Sequence, residues 1–236
     1  MLLALLIVFF CFAHQPCLGD PKFVEAWHVR QKHYFFGESD LTFSKDAIRI
    51  DCSKQLKFAL VAKAPTWQVT VFRQDDKTYF DESLKQLTET GLVSSIIIGF
   101  RDNYLLKELK PVPVKVSGFD AWRVSQGRIS LTYMDAPKGV APQISQVLYG
   151  AYKMPTNGQI PLQHWSRSSG RDLITEMKEA GIIKTFLTTI SISQVSVPIS
   201  LFDPPKGYRR VKRMSEVVLS EQARDSSNDL DVLFRK

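Results

Sequence analysis

Beyond residue 19 the chain carries three histidines, His28, His33 and His164, and one cysteine, Cys52; these are its candidates for metal binding and nucleophilic chemistry. His28 and His33 are five apart, which sets them on opposite faces of a strand and misses the four-residue spacing that puts two ligands on one helix face. There is no Cys-x-x-Cys and no His-Glu-x-x-His, so no metal site is expected. Hydrolysis lacks its Gly-x-Ser-x-Gly elbow, because Ser166-Arg167-Ser168-Ser169-Gly170 reads as a hairpin turn. His164 with nearby Ser166 is the one foothold for an unrecognised secreted hydrolase. Glycine-rich phosphate loops are missing as well. The paired carboxylates Asp75-Asp76 and Asp81-Glu82 sit at strand ends beside basic residues, where turn formation and solvation explain them. The expectation is a non-enzyme with no catalytic residues and no cofactor.

Aromatic side chains carry what chemistry is left. Four tryptophans, Trp27, Trp67, Trp122 and Trp165, lie in strand-like stretches. Trp67, Val69 and Val71 alternate with polar residues and share one strand face, and Phe58, Leu60 and Ala62 repeat the pattern upstream. Such residues usually form plain core. A strongly curved sheet with too few helices to cover its concave face instead leaves an apolar hollow that binds lipids or peptides. Phe58, Leu60, Trp67, Val69, Val71 and Trp122 are the expected lining of that hollow.

The elements that must position these residues are mostly strands. Period-two alternation marks strands over 23–30, 33–36, 47–52, 58–62, 67–73, 77–80, 114–124, 129–134 and 160–165, and most strongly over 184–194. Helices are fewer. Asp81-Glu82-Ser83 opens one that runs through Leu84 and Leu87 to a glycine stop at Gly91. Ile144, Val147, Leu148 and Ala151 form a second between Pro142 and Pro155, while residues 171–181 read equally as a helix or a turn. Pro111-Val112-Pro113 reads as a loop between two halves of one sheet. Residues 215–236 are polar and aperiodic, so 214–236 is expected to be a loosely ordered tail. The fold class is mainly β (α+β): a single curved antiparallel sheet or incomplete β-barrel with a few covering helices, over residues 20–213.

Residues 1–19 hold no charged side chain and run through Leu2-Leu3-Ala4-Leu5-Leu6-Ile7-Val8-Phe9-Phe10 to Cys17-Leu18-Gly19, the layout of a secretory leader cut before Asp20. The apolar run falls short of the roughly twenty residues that cross a bilayer, and neither Cys11 nor Cys17 follows the small residues a lipoprotein signal requires. An exported, periplasmic or secreted protein is expected, not an integral membrane protein. With the leader removed Cys52 stands alone, so no internal disulfide is possible and the thiol reads as a small buried hydrophobe. The net charge of +7 survives cleavage and favours an anionic envelope surface as partner. Nucleic acid is excluded, because the basic residues form no stripe. Their one cluster is Lys206, Arg209, Arg210, Lys212 and Arg213, which contains a dibasic processing pattern at Arg210-Val211-Lys212-Arg213.

Four local patterns occur in order: Ala47-Ile48-Arg49-Ile50-Asp51; a strand over 67–73 with Asp75-Asp76-Lys77-Thr78-Tyr79-Phe80; Val116-Ser117-Gly118-Phe119-Asp120-Ala121-Trp122-Arg123-Val124; and Ile160-Pro161-Leu162-Gln163-His164. The chain then reads Val197-Pro198-Ile199-Ser200-Leu201-Phe202-Asp203-Pro204-Pro205-Lys206-Gly207-Tyr208. This succession resembles exported bacterial proteins of the outer-membrane lipoprotein carrier (LolA-like) superfamily, including its uncharacterised periplasmic members. The resemblance implies an incomplete, strongly curved antiparallel barrel with helices plugging its open side, and acyl chains carried in the hollow. The functional expectation is a non-enzymatic exported binding protein taking a lipid or acyl chain on a concave face. The alternative from another class is a structural or protein-interaction module of the cell envelope with a fully packed interior.

Overall fold

The computed structural model describes residues 22–54, 56–92, 109–156, 158–167 and 183–219. The expected leader over 1–19, the expected tail beyond 219 and the ambiguous stretch 171–181 lie outside the described residues. Alternation produces strands almost wherever it occurs, and they build a mainly β protein. Six successive strands form a first antiparallel meander: β1 (Phe23–His33), β2 (Gly37–Phe43), β3 (Ala47–Cys52), β4 (Phe58–Lys63), β5 (Val69–Arg73) and β6 (Thr78–Glu82). Five more form a second: β7 (Val112–Val116), β8 (Phe119–Gln126), β9 (Ile129–Met134), β10 (Ile160–Arg167) and β11 (Ile183–Pro198). The two longest strands join the halves edge to edge, with Phe23 opposite Pro198 and His33 opposite Leu187. The result is one open, curved sheet of twelve strands in the order β12-β6-β5-β4-β3-β2-β1-β11-β10-β9-β8-β7.

The twelfth strand is a pair of residues, β12 (Arg209–Arg210), laid parallel to β6. The chain reaches it by a strap. After β11 a 3₁₀ turn at Ile199–Phe202 crosses strands β3 and β4, where Arg49 donates to the Leu201 carbonyl at 3.0 Å. Tyr208 then meets Phe72 edge-on, and β12 covers the β6 edge that would otherwise expose unpaired backbone. Past that edge α3 (Ser215–Val218) turns onto the opposite face against β5, and Met214, Val217 and Val218 enter the main core. Residues 214–218 are thus packed on the sheet, where the sequence predicts a loosely ordered tail from 214 onward. The spacing of three apolar residues at i, i+3 and i+4 supplies the reason, since one helical turn buries all of them.

Helices are few and lie on one side of the sheet, called the inner face below. Ser83 caps α1 (Leu84–Thr90) in a reciprocal capping box with Gln86, and α2 (Pro142–Tyr152) starts on its proline. Asp81 and Glu82 belong to β6, so the first helix begins three residues later than the acidic pair suggests. Pro111-Val112-Pro113 is not simply a loop: Val112 and Pro113 start β7, an edge strand, which tolerates a residue without an N–H. Residues 114–124 split into the β7–β8 hairpin at Ser117 and Gly118, both at positive φ, and β2 arises where no strand is expected.

Candidate functional site

The inner face is lined by one continuous apolar cluster that includes Phe58, Leu60, Trp67, Val69 and Val71. The structure thus brings together five of the six expected lining residues. Trp122 is the exception. Strand β8 turns Phe119 and Ala121 toward that cluster, so Trp122 and Val124, of the other parity, fall on the opposite face with Leu131 and Tyr133. Its indole Nε1 donates to Asp135 at 3.0 Å.

Helix α2 presses Ile144, Val147, Leu148 and Ala151 into the inner-face cluster. Helix α1 rests chiefly on α2, and Leu87 is its one fully buried side chain. The contact point is Gly150: a Cβ there would come within 2.6 Å of the Leu87 Cγ and 3.0 Å of its carbonyl oxygen. Lys153, just past α2, donates to the Thr88 and Glu89 carbonyls at 2.8 and 3.1 Å, where a cation suits the carbonyl end of α1. Sequence reasoning located both helices but missed their junction; an isolated glycine inside a helical pattern was its one visible signal.

A polar chain runs under the end of α2. The Tyr152 hydroxyl donates to Gln31 at 3.0 Å, Gln31 donates to the Pro161 carbonyl and to Thr189, and Thr189 donates to the Leu162 carbonyl. Beside it, His33 is sandwiched between Phe36 and Tyr152, with ring centroids 4.4 and 5.1 Å away. Its Nδ1 accepts from the backbone of Phe35 and Phe36. Burial, reinforced by repulsion from His164, lowers the His33 pKa to about 3, and burial lowers that of His164 to about 4. Both are neutral imidazoles at neutral pH. His28 points the other way, to Asp40 at 3.0 Å.

Among the described residues no group of three or more His, Cys, Asp or Glu side chains is placed to hold a metal ion. No hydrogen bond joins His164 to Ser166, and a bulge after His164 interrupts the strand between them. Cys52 is fully buried and burial pushes its thiol pKa up, so it is a poor nucleophile. Two recesses open at strand ends. One of about 340 Å³ is bounded by Asp51, Lys57, Phe58 and Gln74, and one of about 330 Å³ by Lys32, Tyr34, Thr185 and Thr188.

One carboxylate has its pKa pushed up by burial. Burial at the end of β6 raises the Glu82 pKa to about 7, and its Oε1 has no hydrogen-bond partner. A folded pKa above the unfolded one costs stability as pH rises from 4.5 through 7. We expect Glu82→Gln to gain roughly 2–3 kcal/mol at pH 8 and less than about 1 kcal/mol at pH 5. Urea unfolding at the two pH values checks this; an equal gain at both would show that burial does not govern Glu82.

No protein-family profile and no curated protein matches the chain. Among solved structures, an uncharacterised conserved protein from Thermus thermophilus is similar over 80% of this chain and 91% of its own, at 12% identity and a TM-score of 0.42.

Proposed function

We propose that this chain is a non-enzymatic exported binding protein that takes a hydrophobic ligand, a lipid or acyl chain, on the inner face of the sheet, an incomplete barrel closed by helices. The observation that carries the reading is the construction of the cover. A seven-residue helix burying a single leucine leans on α2 at one glycine, with Lys153 holding its last carbonyls at a solvent-facing end. Undocking α1 costs about 2–3 kcal/mol of lost leucine burial, and a chain offering about 0.8 kcal/mol per buried methylene offsets this with its first four or so carbons. Such binding depends on area with few directional contacts, so selectivity for chain type is loose.

Gly150→Val tests the cover directly. The added side chain collides with Leu87, so α1 is displaced and stability falls by about 1–3 kcal/mol. Uptake of a fluorescent fatty-acid probe should rise several-fold over the wild-type chain. If neither chain takes up the probe, the reading fails. A specific observation supports a second reading, a structural module with a packed interior: Leu60, Val69 and Val71 are 0% exposed. That module takes up no probe and meets its partner through Lys206, Arg209 and Lys212, which lie exposed on the strap.

A further inference from the structure

His164 is 6% exposed and its Nδ1, shut off from solvent, has no hydrogen-bond partner. An unpaired buried polar atom costs about 1–3 kcal/mol, and a fold that keeps one leaves room for a group to pair it. The imidazole lines a slot with His33, Phe35, Tyr152, Met154 and Phe186, between the β1–β2 turn, the end of α2 and strands β10 and β11. Free space in the slot is about 10 Å³, enough for about one water-sized group. Its walls are aromatic or apolar: Phe186 lies 5.2 Å from the His164 ring, and Tyr152 and Phe36 flank His33.

Among the described residues no cation is free to neutralise a carboxylate in the slot. Lys153 contributes to the lining, but its ammonium is held by the Thr88 and Glu89 carbonyls. Both histidines are neutral because of their burial. An ionised head group would therefore enter uncompensated, at a cost of several kcal/mol. A hydroxyl carries no charge, fits the space of one oxygen, and both donates and accepts, so it pairs His164 Nδ1 in either ring tautomer.

We propose that this slot seats the hydroxyl head of a long-chain alcohol-type lipid, with His164 Nδ1 as its hydrogen-bond partner. The inference rests on the reading of the protein as a binder of apolar ligands and adds the chemical class of the head group. The test is displacement of a bound fluorescent apolar probe at pH 7.5 by 1-hexadecanol, by its methyl ether, which cannot donate and whose added methyl exceeds the space of one oxygen, and by palmitate. Hexadecanol should bind about tenfold more tightly than either of the others, and His164→Phe should abolish that preference. If the variant does not fold, the three-ligand series on the wild-type chain and the His164 ring NMR signal, which should shift with hexadecanol, decide the matter. Equal affinities for the three ligands, or an unmoved ring signal, overturn the head-group assignment and leave apolar binding standing. Failure of the probe itself to bind overturns the underlying reading instead.

Discussion

Arg73→Ala is expected to lower folding stability by about 3–5 kcal/mol and to release the C-terminal strap from the sheet. The side chain is 3% exposed, and its guanidinium donates to three backbone carbonyls: Val217 at 2.8 Å and Val218 at 2.9 Å in α3, and Leu56 before β4. Asp75 and Asp76, at 3.6 and 3.8 Å, balance its charge. Removing it strands those carbonyls in a buried place, and each unpaired group costs about 1–3 kcal/mol. Lysine is not a substitute, because one ammonium on a flexible stem cannot reproduce the planar fork that reaches all three. Truncation after Arg213 removes the same contacts from the other side, so the two changes together should cost clearly less than their separate losses combined. Urea unfolding of the four chains gives the cycle. A loss below about 1 kcal/mol for Arg73→Ala, or strict additivity with the truncation, would mean that the strap is held by its apolar residues alone.

The second large effect is on acid stability. His33 and His164 are held neutral, with pKa values of about 3 and about 4 against an unfolded value of 6.5. Below pH 6.5 the unfolded chain takes up protons that the folded chain refuses, so stability falls as pH drops from 6.5 toward 4. At pH 4.5 each histidine accounts for roughly 2–3 kcal/mol of that fall. Glu82 works in the opposite direction: its raised pKa costs stability above pH 4.5, and acidification removes the cost. The wild-type chain should therefore lose only about 2–3 kcal/mol between pH 7.5 and 4.5, while Glu82→Gln, which lacks the compensation, loses about 5. His164→Phe keeps a ring against Phe186, sacrifices no protein hydrogen bond of Nδ1, and should flatten the profile almost completely. Urea unfolding across pH gives all three slopes. A Glu82→Gln chain with the wild-type slope would contradict the assignment of opposing groups.

These two effects lie in parts of the molecule that the sequence discloses unevenly. Alternation of apolar with polar residues shows Ala47–Cys52 and Ile129–Met134 to the residue, although in the second strand the polar Ser130 and Thr132 are buried too. It misses Gly37–Phe43, where the outward Glu38 and Asp40 serve Arg30, Lys54 and His28 and the inward set includes a serine. Alternation also states which residues share a face within a strand without saying which face is the inner one. That depends on partners far away in sequence, and it is why Trp122 falls on the wrong side of the candidate lining. Helix α3 escapes notice because one turn with three apolar residues is too short to stand out as a period; its carbonyls are held by Arg73, some 140 residues earlier. The buried set of His33, Gln31, Tyr152, His164 and Thr189 is assembled from four separate elements by the β1–β11 seam, and nothing local foretells it.

The packing of the inner face and the thinness of its cover pull in different directions. Fully buried Leu60, Val69 and Val71 describe a closed interior, whereas α1, held through Leu87 and Gly150, describes a cover that a modest binding free energy displaces. Native mass spectrometry of the protein gently extracted from its native source separates the two. A binding protein gives a species heavier by one lipid-sized ligand, which vanishes on delipidation and is restored by adding 1-hexadecanol or palmitate. A bare mass on extraction, together with no uptake of either compound by the wild-type or Gly150→Val chain, would contradict it.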